Sequence, residues 1–125
     1  MRYLGIDYGK KRIGLALSDQ EGRLAFPHSV VGRIGDVVAV IHGEGVWALV
    51  IGLPLTLSGQ ESGEARAVRA FAGALRERVE LPIAFESEVF TTKIAERSSA
   101  GAKADASAAA LILQSYLDKK IENRK

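Results

Sequence analysis

The segment GIDYGKKRIGLALSD, from Gly5 to Asp19, decides the fold and raises the first question about function. An apolar run ends at Asp7, and Gly9, two residues later, allows the chain to turn. Three basic residues then precede a second β-like run: Lys10, Lys11 and Arg12. Either these charges form the polar tip of a hairpin, or Asp7 holds a metal ion while the basic residues attract an anion.

The composition is that of one folded domain. A chain of 125 residues has a common domain size, and 47% hydrophobic residues with 26% charged ones argue against disorder. The absence of cysteine excludes disulfides and thiolate metal sites. The N-terminus lacks the pattern of a signal peptide, and no run reaches the roughly 20 apolar residues of a membrane span. We therefore expect a single soluble, cytoplasmic domain over residues 1–125 that has no membrane partner.

The net charge says little about partners. A charge of +2, from 17 Lys and Arg against 15 Asp and Glu, is found equally on an ordinary solvated surface. The basic residues cluster near the start, in GKKR, and in the tail DKKIENRK. The tail fits a solvated helix end, because cations favour helix C-termini.

Hydrophobic periodicity predicts the order of the elements. In chain order they are strands at 2–7, 12–19 and 24–31, a helix at 34–45, a strand at 46–55, a helix at 65–79, a strand at 82–88, a short helix from Thr91 or Thr92 to Arg97, a flexible loop at 98–104 and a helix at 105–121. Pro27 indicates an edge strand or a bulge. A meander followed by strands that alternate with helices predicts an α/β fold with a mixed five-stranded sheet, the construction of the ribonuclease H-like fold.

Three carboxylates fall at the ends of predicted elements. Asp7 ends the first strand, Glu88 lies at the end of the fifth, and Asp105 opens the last helix. Open α/β sheets usually bind ligands at the carboxyl edge of their parallel strands. Converging carboxylates there would suit Mg²⁺ or Mn²⁺, and two such ions about 4 Å apart can cleave a phosphodiester. Taken singly, each acid has a simpler interpretation as a turn residue, a solvated strand end or a helix cap.

Three motifs carry a family resemblance. They are DYGKKRIGLA at 7–16, VIGLPLTLSGQES at 50–62 and DASAAALILQSYL at 105–117. In this order and spacing they resemble the YqgF (RuvX) family, described as pre-16S rRNA nucleases and as Holliday junction resolvases, over essentially the whole chain. The resemblance implies a ribonuclease H-like fold and a divalent-metal nuclease site, with Asp7 as the first metal ligand and Asp105 as the last.

The middle motif departs from the family pattern. Family members generally have Asp-Glu-Arg, a hydrophobic residue and two threonines, where this chain has Ser87, Glu88, Val89, Phe90, Thr91 and Thr92. The resemblance implies that Glu88 is the middle ligand, whereas Val89 removes a bidentate arginine donor. Glu86 shares a strand face with Glu88 and supplies charge that Ser87 lacks, or replaces Glu88 as ligand. We favour Glu88 as the ligand, supported by Glu86.

Other motif residues are assigned to binding and support. The candidates for contact with nucleic acid are Lys10, Lys11, Arg12, Ser58, Gln60 and Lys103. The candidates for support of the metal ligands are Gly9, Glu86 and Thr91. The simpler interpretation is that the polar loop residues meet water and that Gly9 only permits a turn.

The leading prediction is a Mg²⁺- or Mn²⁺-dependent nuclease acting on structured nucleic acid, chiefly in maturation of the 5′ end of 16S rRNA. One alternative is a Holliday junction resolvase in DNA recombination and repair. Another is a ribosome-associated nucleic-acid-binding factor with weakened catalysis. A phosphotransferase with a similar Asp-x-Gly start would need a second large domain. The expected partners are precursor rRNA, branched or single-stranded DNA, and ribosomal particles, bound by a monomer or a weak homodimer.

Overall fold

The computed structural model describes residues 1–89 and 102–123, and the side chains of 1–87 and 106–123. Its elements are β1 Arg2–Tyr8, β2 Ile13–Ser18, β3 Ala25–Val31, α1 Ile34–Gly43, β4 Val46–Leu55, α2 Gly63–Arg78, β5 Ile83–Val89 and α3 Ala102–Asn123. Each lies within a few residues of its prediction. The short helix predicted to end at Arg97 falls outside the described residues.

The start of α3 corrects one prediction. The loop predicted at 98–104 was expected to carry Lys103, but the helix begins at Ala102, so the backbone of Lys103 is helical. Alanine and lysine are good helix formers, which explains the earlier start. Asp105 therefore lies in the first turn of α3 rather than at its opening residue.

The sheet is mixed, as predicted, with the strand order β3-β2-β1-β4-β5. The β1–β2 and β2–β3 pairs are antiparallel, whereas β4 runs parallel to both β1 and β5. Pro27 lies in the edge strand β3, where the register with β2 shifts between Leu15 and Ala16. Both expectations for this proline are confirmed, because a residue without an N–H fits an edge and an interrupted ladder.

Alternation along the strands gives the sheet two apolar faces. One face, which includes Leu4, Ile6 and Ile51, packs against α1 and α2. The opposite face packs against α3 through residues such as Val50 and Leu113. No helix within the described ranges is long and apolar enough to cross a membrane.

The direction of α3 follows from its contacts with β1. A Cβ added at Gly5 would lie 2.7 Å from Cβ of Leu113 and 2.9 Å from the carbonyl oxygen of Ala109, so the helix crosses β1 closely there. Further along α3, the ring of Tyr116 lies 6.0 Å from the ring of Tyr3, between centroids. The helix therefore runs antiparallel to β1, and its N-terminal end points to the carboxyl end of that strand.

Candidate active site

Asp7 lies near the end of β1 on the face covered by α3, with only 5% of its surface exposed. It is paired with Gly14 on β2. On the other side, Gly52 follows Ile51, which is the β4 partner of Ile6. The β2 partner of Asp7 therefore carries no side chain. A buried carboxylate needs hydrogen bonds or cations to offset its lost hydration, so this position suits oxygen-donor chemistry.

The backbone brings the two other predicted acids to the same edge. Glu88 is paired with Pro54, so it lies beyond the level of Gly52 at the carboxyl end of β5. Asp105 lies one turn before Ala109, toward the end of the sheet that carries Asp7. The side chains of Glu88 and Asp105 are outside the described set, and among the residues searched no three His, Cys, Asp or Glu form a metal-binding group. A joint metal site therefore stays a prediction.

Glu86 joins β5 to α3. It is paired with Gly52, which places it level with Asp7 across the sheet, and it is 5% exposed. Its Oε2 accepts hydrogen bonds from Ser115 Oγ at 2.7 Å and from Lys119 Nζ at 2.6 Å. Because the charge of Glu86 is already offset by Lys119, these bonds favour a role in which Glu86 supports the metal ligands over one in which it binds the metal itself.

Ser115 and Lys119 were missed by the sequence analysis. They lie 29 and 33 residues from Glu86, so no local motif relates them. Their spacing of one helical turn was an available signal, since residues i and i+4 share a helix face.

The turn after β1 carries the predicted basic residues. Lys10, Lys11 and Arg12 are all exposed. A Cβ at Gly9 would lie 2.8 Å from the carbonyl oxygen of Arg12, so the tight turn itself requires glycine. The simpler interpretation of Gly9, as a residue that permits the turn, is therefore sufficient.

Ser58 and Gln60 lie in the exposed loop that follows β4. The loop is closed by a hydrogen bond from Thr56 N to the Gln60 carbonyl oxygen at 2.7 Å and by one from Gly59 N to the Thr56 carbonyl oxygen at 2.9 Å. Oγ of Ser58 lies 2.9 Å from Oγ1 of Thr56. These bonds give the loop a defined shape.

An ion pair fastens the end of this loop to α2. Arg69 donates from Nε to Glu61 Oε1 at 2.9 Å and from Nη2 to Oε2 at 2.6 Å. The hydrogen bond from Arg69 lowers the pKa of the Glu61 carboxyl. Because both groups are exposed, solvent screens the pair, and it contributes more to loop shape than to stability.

Thr91 and the side chain of Lys103 fall outside the described residues, so their assigned roles also stay predictions.

The sequence comparisons agree with the predicted family. Residues 1–119 match the family model described as RuvX, Holliday junction resolvase. A protein of Anaplasma marginale named "Putative pre-16S rRNA nuclease" is 40% identical, over 94% of this chain and 84% of its own length. A protein of the same name from Maridesulfovibrio salexigens is 37% identical, over 94% of this chain and 98% of its own length.

The structural comparisons confirm the ribonuclease H-like fold. Thermus thermophilus RuvC in complex with a Holliday junction substrate has a TM-score of 0.58 at 17% identity, covering 97% of this chain and 96% of its own. Fowlpox virus resolvase in complex with Holliday junction DNA has a TM-score of 0.55 at 8% identity, covering 95% and 98% respectively. At these identities the likeness concerns the fold alone.

Proposed function

Because this chain belongs to the RuvX family of Holliday junction resolvases, we propose that it is a divalent-metal-dependent nuclease that processes the 5′ end of pre-16S rRNA. The observation that carries the proposal is buried Asp7 at the carboxyl edge of the sheet, where the backbone also directs Glu88 and Asp105. The rRNA substrate is proposed from the name shared by the relatives. Resolution of Holliday junctions is the alternative substrate class within the same chemistry.

The residues at the edge fit Mg²⁺ or Mn²⁺. All three candidate ligands, Asp7, Glu88 and Asp105, are carboxylates, which are the oxygen donors that hard divalent cations prefer. Asp7 is buried, and its pairing partner on β2 is Gly14, which carries no side chain. A bound metal pair would supply an activated water and stabilise the leaving oxygen in phosphodiester hydrolysis.

The chain's own residues would bind and orient the substrate. Exposed Lys10, Lys11 and Arg12 lie in the turn that follows Asp7, where they attract the phosphate backbone. Ser58, Gln60 and Lys103 are proposed as further contacts. The proposal includes action in the cytoplasm on precursor ribosomal particles, by a monomer or a weak homodimer.

A cleavage assay tests the proposal. Wild-type protein with Mn²⁺ or Mg²⁺ is expected to remove the 5′ extension of a precursor 16S rRNA fragment. Asp7→Asn is expected to lower the rate by roughly 100-fold, because it removes the charge that holds the metal. Asp36→Asn is the matched control, since Asp36 is an exposed aspartate of α1. Unchanged cleavage by Asp7→Asn would contradict the nuclease assignment, and faster cleavage of a four-way DNA junction than of the rRNA would favour the alternative substrate.

The middle motif supports a second candidate, a nucleic-acid-binding factor with weakened catalysis. Ser87 and Val89 stand where the family pattern has aspartate and arginine, and valine cannot donate to a phosphate. Tight binding of the same rRNA fragment, with no cleavage in either metal, is the result that would select this candidate.

A further inference from the structure

The sheet edge that carries Asp7 borders a groove on the opposite face of the sheet. The groove has a volume of about 440 Å³ and lies between the β1–β2 turn, the start of α1 and α2. We propose that it binds one nucleotide of a single-stranded segment of the nucleic-acid substrate. This inference rests on the proposed function, because the nucleotide in the groove would belong to the same nucleic acid that is cleaved at Asp7.

The floor of the groove is aromatic and aliphatic. The rings of Tyr8 and Phe71 stack with centroids 4.5 Å apart and planes at 28°, and both line the groove. Ala67, Ala70 and Ala74 of α2 form one wall, and their small side chains leave the space open. An apolar floor that includes aromatic side chains suits a nucleobase of any identity, and the volume falls within the roughly 300–1,000 Å³ of small-molecule sites.

The rim of the groove is positively charged. Lys10 comes from the turn after β1 and Arg33 from the residue before α1, and both are exposed. Neither forms an ion pair with a carboxylate in the part of the chain that the structure describes. Two cations above an apolar floor match the chemistry of a nucleotide, in which an apolar base adjoins an anionic phosphate.

The groove is continuous with the candidate active site through the backbone. Successive residues of a strand point to opposite faces, so Asp7 lies under α3 while Tyr8 packs toward α2. Gly9 lines the groove at the rim between them and carries no side chain. A strand whose scissile phosphate lies at Asp7 would therefore cross the sheet edge over Gly9 and enter the groove. The bases of a duplex are stacked on one another, whereas an unstacked base can pack against the apolar floor, so the proposed segment is single-stranded.

Fluorescence anisotropy with a labelled single-stranded RNA decamer, in EDTA, tests the groove without cleavage. Ala70→Leu fills the wall and is expected to weaken binding about tenfold through lost base stacking. Arg33→Ala is expected to weaken it about fivefold and to reduce the slope of log K against log salt by about 0.7, the value of one phosphate contact on a single strand. Ala70→Leu should leave the slope unchanged, because it removes no charge.

Matched controls separate the groove from general effects. Ala39→Leu and Arg76→Ala alter exposed helical residues that do not line the groove, and both should bind as the wild type does. A blunt duplex of the same sequence should be insensitive to Ala70→Leu. Thermal melting checks that every variant is folded.

Each result decides the proposal. Single-strand affinities of Ala70→Leu and Arg33→Ala equal to those of the controls would overturn it, as would binding of free AMP as tight as that of the decamer. If Asp7→Asn abolishes cleavage while the groove variants bind normally, the nuclease assignment stands and the groove does not. If the groove variants bind weakly but the wild type cleaves nothing, the groove stands and the nuclease assignment fails.

Discussion

Gly5 shows how one missing side chain positions α3. The residue lies in the middle of β1, two positions before Asp7, and the helix passes so close that its backbone oxygen at Ala109 occupies the space of a Cβ. Any side chain there would push α3 away from β1. Because Asp7 lies on β1 and Asp105 on α3, the distance between these two candidate ligands depends on Gly5.

We expect Gly5→Ala to lower the free energy of unfolding by about 1–3 kcal/mol, because the added methyl group overpacks a contact that includes rigid backbone. Urea denaturation measures the loss. Gly73→Ala is the matched control: this glycine is in α2, nothing would lie within 4 Å of its Cβ, and alanine should stabilise the helix by about 0.5–1 kcal/mol. Equal stability of Gly5→Ala and the wild type would contradict the close packing of α3.

At the scale of elements, β5 and α3 are held together by a buried carboxylate. Glu86 accepts from Ser115 and Lys119 on successive turns of the helix, so it fixes both the rotation and the height of α3 over the sheet. These bonds tie β5 to the C-terminal half of α3, the helix that also carries Asp105.

Lys119→Met is expected to lower stability by about 1–2 kcal/mol, because it leaves Glu86 buried without its cation. The value is below that of a fully buried pair, since 63% of the Lys119 side chain is exposed. The double variant Glu86→Gln with Lys119→Met should recover part of the loss, as the buried charge is gone. Urea denaturation of both variants measures the effect, with Lys11→Met, at an exposed lysine in a turn, as the control. Equal free energies of unfolding for all three proteins would show that the Glu86–Lys119 pair does not hold the helix.

Sequence patterns were informative where the signal is local. The apolar run from Val46 to Leu55 predicted β4 at its observed bounds, because a central strand is covered on both faces. The start of α3 was missed, since small residues before Asp105 give no hydrophobic period. The Glu86 bonds and the groove depend on residues far apart in the chain, so only the folded structure reveals them.

At the scale of the whole molecule, the sheet separates two kinds of chemistry. The face under α3 carries buried carboxylates, and the opposite face opens into an apolar groove with a cationic rim. Asp7 and Tyr8, adjacent at the carboxyl edge of β1, belong to the two different faces. A metal would therefore bind the native state alone, because the candidate ligands come from β1, β5 and α3 and are distant in the unfolded chain.

Manganese should consequently stabilise the fold. At a concentration about 100-fold above its Kd, Mn²⁺ would add about 2.7 kcal/mol to the free energy of unfolding. Thermal melts with and without Mn²⁺ measure this shift, which should be lost in Asp7→Asn and retained in Asp36→Asn. A shift that persists in Asp7→Asn would place the metal elsewhere.

The position of α3 in the chain also determines when the fold can be completed during synthesis on the ribosome. Strand β1 is made early and α3 comes last among the described elements, yet α3 covers the face of β1 that carries Asp7. While the nascent chain emerges, that face has no helix to cover it, and the contacts that close it have high sequence separation. The proposed active site, which takes Asp7 from β1 and Asp105 from α3, can therefore form only after α3 has emerged from the ribosome.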